Sequence, residues 1–274
     1  MKYQEGRKRI LESLFCAEIK SVLRSFGPER WPDCDDLNAY LATRNENFLN
    51  SSGMPINFVP QLVKPKRFSS GFVQRTFLKG EVLVRPQNWH DLMNALVWMV
   101  FPRTKAALNA RHFNTLLKDM NAKRSPEGDA LTIFDEDGVF VITDEPNLIQ
   151  LLEGFEWTEL FYNRRDEVRS RLKCIIFGHA LYEKSISPYV GMTGKAITTV
   201  TCHEHLSLSS TKWLLWLDET MSSLVANNSL FKTGRSFAPF PILGVPGWHK
   251  NNDRPEFYLD SSYFRKGRRP STRA

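Results

Sequence analysis

No apolar run in this sequence is long enough to cross a bilayer. A spanning helix needs roughly 20 apolar residues, and the longest run here is residues 95–101. A soluble protein is therefore expected. The N-terminal stretch is charged, and Glu12 and Glu18 interrupt what would have to be a signal peptide's apolar core, so a cytoplasmic location is expected. The four cysteines, Cys16, Cys34, Cys174 and Cys202, form no CxxC pair. That spacing argues against a zinc knuckle and a disulfide framework, leaving buried thiols as the expectation. There is no glycine-rich phosphate loop, GxGxxG, GxSxG or HExxH. Nucleotide-dependent transfer and the commonest serine and zinc hydrolases thus lose their usual signatures. No repeat of solenoid period and no composition break divides the chain, so one globular domain over residues 1–264 is expected, followed by a basic flexible tail over 265–274.

What is present is an ordinary globular composition, 42% hydrophobic and 24% charged over 274 residues. A formal net charge of +7 admits an anionic partner, although much of the excess sits near the ends, in Arg7, Lys8 and Arg9 and in the tail. Apolar spacing predicts an amphipathic helix over about 7–26, ended by Gly27-Pro28. A second follows, capped by Asp35 or Asp36 and carrying Leu37, Tyr40 and Leu41. Residues 49–79 read as a long irregular connection that covers a site if it is functional, and 81–85 as a strand. Residues 131–134 and 139–142, joined by Asp135-Glu136-Asp137-Gly138, read as a β-hairpin whose turn chemistry accounts for the acidic residues. Helices follow at 146–154 and 157–162, then a long helix over 164–187 whose second half is apolar nearly all round and so buried. A strand is expected near 196–202 and a helix over 208–226. The Pro- and Gly-rich 237–249 should wrap an apolar surface. The fold class expected is α+β: a mainly helical single domain with a small β-hairpin or short sheet.

The centre of interest is residues 88–112, read as two helices with Pro102 between them. On the second, over 103–121, Ala106, Ala110, Phe113, Leu117 and Met120 form an apolar face, and Arg103, Ala107, Arg111, Asn114 and Lys118 a solvent face. Lys105, Asn109 and His112 run between at four-and-three spacing, bordered by leucines, and so need partners. Asp91 and Asn94 share a face of the first helix with Trp98. A buried Asp91 needs a cation, which Lys105 or Arg103 would supply. This cluster is either a structural polar network or half of a catalytic site.

His179 and Glu183, one turn apart, offer ligand-type groups at a spacing that can hold a metal ion, or a plain imidazole–carboxylate hydrogen bond. Together His90, Asp91, His112, His179 and Glu183 would be enough for a catalytic divalent metal such as zinc with a spare general base. Cys202-His203-Glu204-His205 is a weaker ligand cluster, and residues 248–253 are either a ligand lip or a turn.

Four segments in order carry a family resemblance: Trp89-His90-Asp91-Leu92-Met93-Asn94-Ala95-Leu96-Val97-Trp98 with Phe101-Pro102-Arg103-Thr104-Lys105; Asp129-Ala130-Leu131-Thr132-Ile133-Phe134-Asp135-Glu136; Phe177-Gly178-His179-Ala180-Leu181-Tyr182-Glu183-Lys184; and Pro241-Ile242-Leu243-Gly244-Val245-Pro246-Gly247-Trp248. The chain resembles an uncharacterised bacterial family known as domain of unknown function 3025. The resemblance implies a bacterial, single-domain protein and carries no activity.

The leading expectation is a metal-dependent hydrolase acting on a small molecule, with His112, His179 and Glu183 as metal ligands. His90 or Asp91 would be the base, with Asn94, Lys105 and Asn109 in the same site. The alternative is a non-catalytic protein that binds nucleic acid or another anion through Lys64, Lys66, Arg67, Arg75 and the tail.

Overall fold

The computed structural model describes residues 1–44, 48–61, 71–118, 125–226 and 230–267. Its helices in chain order are α1 (Tyr3–Glu12), α2 (Ala17–Arg24), α3 (Cys34–Ala42), α4 (Phe72–Lys79), α5 (Trp89–Val100), α6 (Pro102–Lys118), α7 (Pro126–Asp137), α8 (Pro146–Glu153), α9 (Arg165–Arg171), α10 (His179–Lys184), α11 (His203–Leu206) and α12 (Ser210–Ala226). Strands β1 (Asn57–Pro60) and β2 (Glu81–Val84) pair in parallel, with α4 as their crossover. Strands β3 (Gly138–Thr143), β4 (Leu172–Ile176), β5 (Thr193–Val200) and β6 (Ala238–Pro241) form a mixed sheet in the order β4-β3-β5-β6. The mainly helical α+β class is as expected.

β3 is buried at every residue because it has a strand on each side and helices over its faces. It pairs antiparallel with β4 and parallel with β5. The expected hairpin over 131–142 is therefore wrong in its first half. Ser125 caps the backbone N–H of Gly128, Pro126 takes the first helical turn, and residues 131–134 continue α7 with Ala130, Leu131 and Phe134 buried. A four-residue apolar run fits either period, and the cap decides it. The long helix expected over 164–187 is likewise broken. Leu172–Ile176 is β4, an edge strand paired with β3, whose Leu172, Ile175 and Ile176 are buried in the core.

Other differences are smaller. The first helix is split into α1 and α2, and α3 is capped by Asp33, which forms a reciprocal capping box with Asp36. Cys16 is buried as expected, but Cys202 is exposed and Cys34 and Cys174 are half-buried. Residues 237–249 wrap the core as expected, with Phe240, Ile242 and Leu243 buried, yet include the regular strand β6.

α5 and α6 meet at Phe101-Pro102, as expected. The start of α6 is fixed by Asp218 of α12, whose carboxylate accepts from the backbone N–H groups of Arg103 and Thr104 at 2.9 Å each and from the Thr104 hydroxyl at 2.7 Å. Because α12 and α7 also pack on α6, its buried side is wider than the periodicity implied. Arg111, assigned to solvent, bonds Glu127 at 2.7 Å and lies 4.8 Å from the Phe231 ring centre, whereas Leu117 is exposed. The end of the expected helix, 119–121, lies outside the described residues. Among the described residues no helix is long and apolar enough to cross a membrane.

Candidate active site

A cavity of about 470 Å³ lies where α4, α5, α6, α7 and the start of α10 meet. α5 contributes His90, Asp91, Asn94 and Trp98, and α6 contributes Lys105, Asn109 and His112. Each set follows helical spacing, so one face of each helix is turned to the cavity. The last turns of α7 add Thr132, Asp135 and Glu136, and α10 adds its first residue, His179. The cavity is also bounded by Gln61, Phe72 and Val73 from the stretch read as a connection over a site.

The polar groups form a continuous chain. Glu183 Oε2 accepts from His90 Nδ1 at 3.0 Å, and His90 Nε2 lies 3.0 Å from His179 Nε2, with the rings edge to face. His179 Nδ1 is 3.8 Å from Asp135 Oδ2, beyond hydrogen-bonding distance. Asp135 Oδ1 accepts from Lys105 Nζ at 2.5 Å, and Lys105 also donates to Asn94 Oδ1 at 2.8 Å. Two ring nitrogens at 3.0 Å need one proton between them: one must donate and the other accept.

The surroundings decide where positive charge rests. The hydrogen bond to Glu183 raises the His90 pKa above its ordinary value, outweighing burial. Burial lowers His179 to about 4, and the positive charges of Lys105 and His90 add to that, against the pull of Asp135. Positive charge is thus favoured on His90 and disfavoured on His179, so that when His90 is protonated it is the donor and His179 the neutral acceptor. Glu183 is lowered mainly by its bond to His90. Burial works to raise Asp135, but Lys105 and the neighbouring histidines together leave it below the ordinary carboxylate value.

Gly178 lets α10 approach this closely. A Cβ there would stand 2.3 Å from the Glu136 carbonyl oxygen and 2.5 Å from the Gly138 nitrogen, both backbone atoms. Gly178→Ala is expected to cost about 1–3 kcal/mol and to move His179 off His90. Urea unfolding checks the stability, and the His179 ring shifts in an NMR spectrum check the displacement.

The structure thus gathers His90, Asp91, Asn94, Lys105, Asn109, His112 and His179 around one cavity, with Glu183 reaching His90 from outside the lining. The expected pairings differ. Asp91 is satisfied by Arg85, whose Nη2 and Nε donate to its carboxylate at 2.7 and 2.8 Å, rather than by Lys105 or Arg103. Arg85 precedes α5 by one turn of chain, so it reaches the start of that helix directly. Glu183 takes the His90 proton and not that of its own helix neighbour His179. Asn109 donates to the Val73 carbonyl at 3.1 Å.

His112, His179 and Glu183 are not assembled as metal ligands. Among the described residues no group of three or more His, Cys, Asp or Glu side chains has a metal-holding arrangement. The divalent metal such as zinc expected from the sequence therefore has no ligand set among the described residues. In the Cys202–His205 cluster, His205 Nδ1 lies 3.4 Å from Cys202 Sγ and 2.7 Å from the Thr201 hydroxyl, whereas His203 Nδ1 turns to Asp144 at 2.8 Å. His249 stacks on Phe257, and Asn252 is buried, ordering the 248–253 turn through bonds to Leu243, Val245 and Gly247. Of the proposed anion-binding residues, Arg75 is held by Glu81 at 2.5 Å. Lys64, Lys66, Arg67 and residues 268–274 of the tail lie outside the described residues.

The residue that sequence reasoning missed is Asp135, which joins Lys105 to the histidines. It was absorbed into a hairpin turn. The signal that could have found it is the Ser125-Pro126 helix start: counting from there, Thr132, Asp135 and Glu136 fall together on one face of α7.

A family model described as Protein of unknown function (DUF3025) matches residues 56–268, a span that includes every cavity residue named above. No curated protein and no solved structure matches the chain.

Proposed function

We propose that this chain, which belongs to the DUF3025 family of proteins of unknown function, is an enzyme that hydrolyses a small polar molecule by acid–base chemistry at His90 and His179. The observation that carries the reading is the sequence Glu183, His90, His179 in contact at 3.0 Å each, at the edge of a cavity large enough for a metabolite. A carboxylate that orients an imidazole and holds its charge is the arrangement that general acid–base catalysis needs.

His90, with a third of its side chain exposed, is the ring that meets water and substrate. His179, 6% exposed, is the buried partner. In the resting contact they hold one proton between their Nε2 atoms. Once His90 has released its Nε2 proton to bulk water it is the neutral base: a water against that nitrogen gives up a proton there as it attacks the substrate, and His90 returns that proton to the leaving group. Lys105, fixed by Asp135 and Asn94, keeps a positive charge beside the developing negative one. A cytoplasmic setting belongs to the same reading, supported by the four free thiols.

The test is turnover of p-nitrophenyl acetate, p-nitroacetanilide and p-nitrophenyl phosphate by the purified protein. At least one is expected to be hydrolysed, and His90→Gln should slow it by about 10²–10⁴-fold without unfolding the chain. Absence of turnover above a heat-inactivated control, or an active His90→Gln variant, would refute the proposal.

A further inference from the structure

Resting on the acid–base reading above, we infer that the cavity takes a neutral carboxamide, or the –CO–NH– edge of a cyclic amide. Among the described residues, the buried polar atoms without a hydrogen-bond partner include Trp98 Nε1 and Asn109 Oδ1, both on residues that line this cavity. Their side chains are at least nine-tenths buried, with Trp98 at 2% and Asn109 at 8% exposure. Buried polar groups are nearly always paired, so an unpaired donor and an unpaired acceptor beside one cavity mark where a ligand's atoms belong.

Their chemistry restricts the ligand. An indole N–H only donates, so Trp98 requires an acceptor. The Asn109 amide has given its Nδ2 to the Val73 carbonyl, leaving an oxygen that requires a donor. A separate acceptor and donor on one small group describe an amide. The permanent charges restrict it further. Arg85 is paired with Asp91, and Lys105 with Asp135. A carboxylate ligand would find both of these cations already paired and would face the Glu136 carboxylate, which also lines the cavity, whereas a neutral polar group needs no counter-charge.

Neither atom has contact with solvent in this structure, so a ligand reaches them when neighbouring side chains move aside. Phe72 and Val73 of α4 lie on the Asn109 side of the cavity and are placed to yield. Hydrolysis of such a ligand balances without a further reactant. The water oxygen bonds to the carbonyl carbon, the C–N bond breaks, and the proton that His90 took from the water passes to the leaving nitrogen.

The experiment is ligand-observed NMR titration of the full chain with benzamide, benzoate, benzylamine and benzyl alcohol, which share a ring and differ in the polar group. Benzamide is expected to bind at least tenfold more tightly than the other three. Trp98→Phe, which keeps a ring and loses the N–H, should weaken benzamide about tenfold, the loss of one hydrogen bond to a buried group. Asn109→Ala should act in the same direction, and thermal unfolding verifies that each variant is folded. Equal or tighter binding of benzoate, benzylamine or benzyl alcohol, no binding of any probe, or benzamide binding unchanged in both variants would overturn the inference. The two readings fail separately. Benzamide preference without turnover of any chromogenic substrate leaves this inference standing and removes the acid–base one, whereas turnover without benzamide preference does the reverse.

Discussion

Lys105→Met is expected to lower the free energy of unfolding by about 3–5 kcal/mol, the usual penalty for removing one member of a buried ion pair. Lys105 is only 3% exposed and its ammonium bonds both Asp135 and Asn94. Methionine fills much of the same volume, so the loss comes from charge rather than from a cavity. It leaves the Asp135 carboxylate, 22% exposed, without its cation. The urea midpoint should fall with an unchanged denaturant slope. Adding Asp135→Leu should recover most of the loss, because the unpaired charge is then gone as well. A single variant within about 1 kcal/mol of wild type would mean that the pair is well hydrated, in which case a low-dielectric polar site has no basis here.

The second large effect is on acid stability. His179 has a folded pKa of about 4 against an ordinary 6.5. Between those values the unfolded chain binds a proton that the folded chain refuses, so stability falls as pH is lowered through this window and is regained as pH rises. The full loss is about 3 kcal/mol, at about 1.4 kcal/mol for each unit of pKa displacement. Two other groups act nearby. Burial raises Glu18 to about 7, so the folded chain takes up its proton first and gains stability as pH falls from there toward the ordinary 4.5. His90, raised, contributes stability that is present below 6.5 and is lost as pH rises through its folded value. Because Glu18 opposes His179 in the same window, the histidine effect is read as a difference. His179→Gln should be relatively more stable than wild type at pH 4.5 than at pH 7.5, by about 2.5 kcal/mol. Parallel stability curves for the two proteins would contradict a buried neutral His179.

Part of this site was legible from residue spacing. Lys105, Asn109 and His112 recur at helical intervals beside leucines, and Asp91 and Asn94 share a face with Trp98, so a polar cluster at the α5–α6 junction follows from periodicity alone. The meeting of His90 with His179 does not, because it joins residues 89 positions apart and depends on Gly178 letting α10 close on the backbone of α7. Asp135 was hidden by a local ambiguity. An apolar tetrad followed by acidic residues and glycine fits a hairpin turn as well as a helix end, and only the cap at Ser125 separates them. The same ambiguity hid β4, an edge strand, since a short and mostly apolar run such as residues 172–176 fits a strand and a buried helix alike. Glu183 illustrates a third limit: the spacing His179 to Glu183 was real on α10, but the carboxylate bonds His90 on another helix.

The central claim is that Glu183 favours positive charge on His90, beside a His179 that stays neutral. The measurement that tests it most directly is an NMR pH titration of the imidazole nitrogens in wild type and Glu183→Gln. In wild type His90 should titrate above 6.5 with Nδ1 protonated, and His179 near 4. In Glu183→Gln the His90 transition should move down, since the hydrogen-bonded carboxylate is its largest raising influence. Two rings that titrate independently near 6.5, neither moved by Glu183→Gln, would contradict the account.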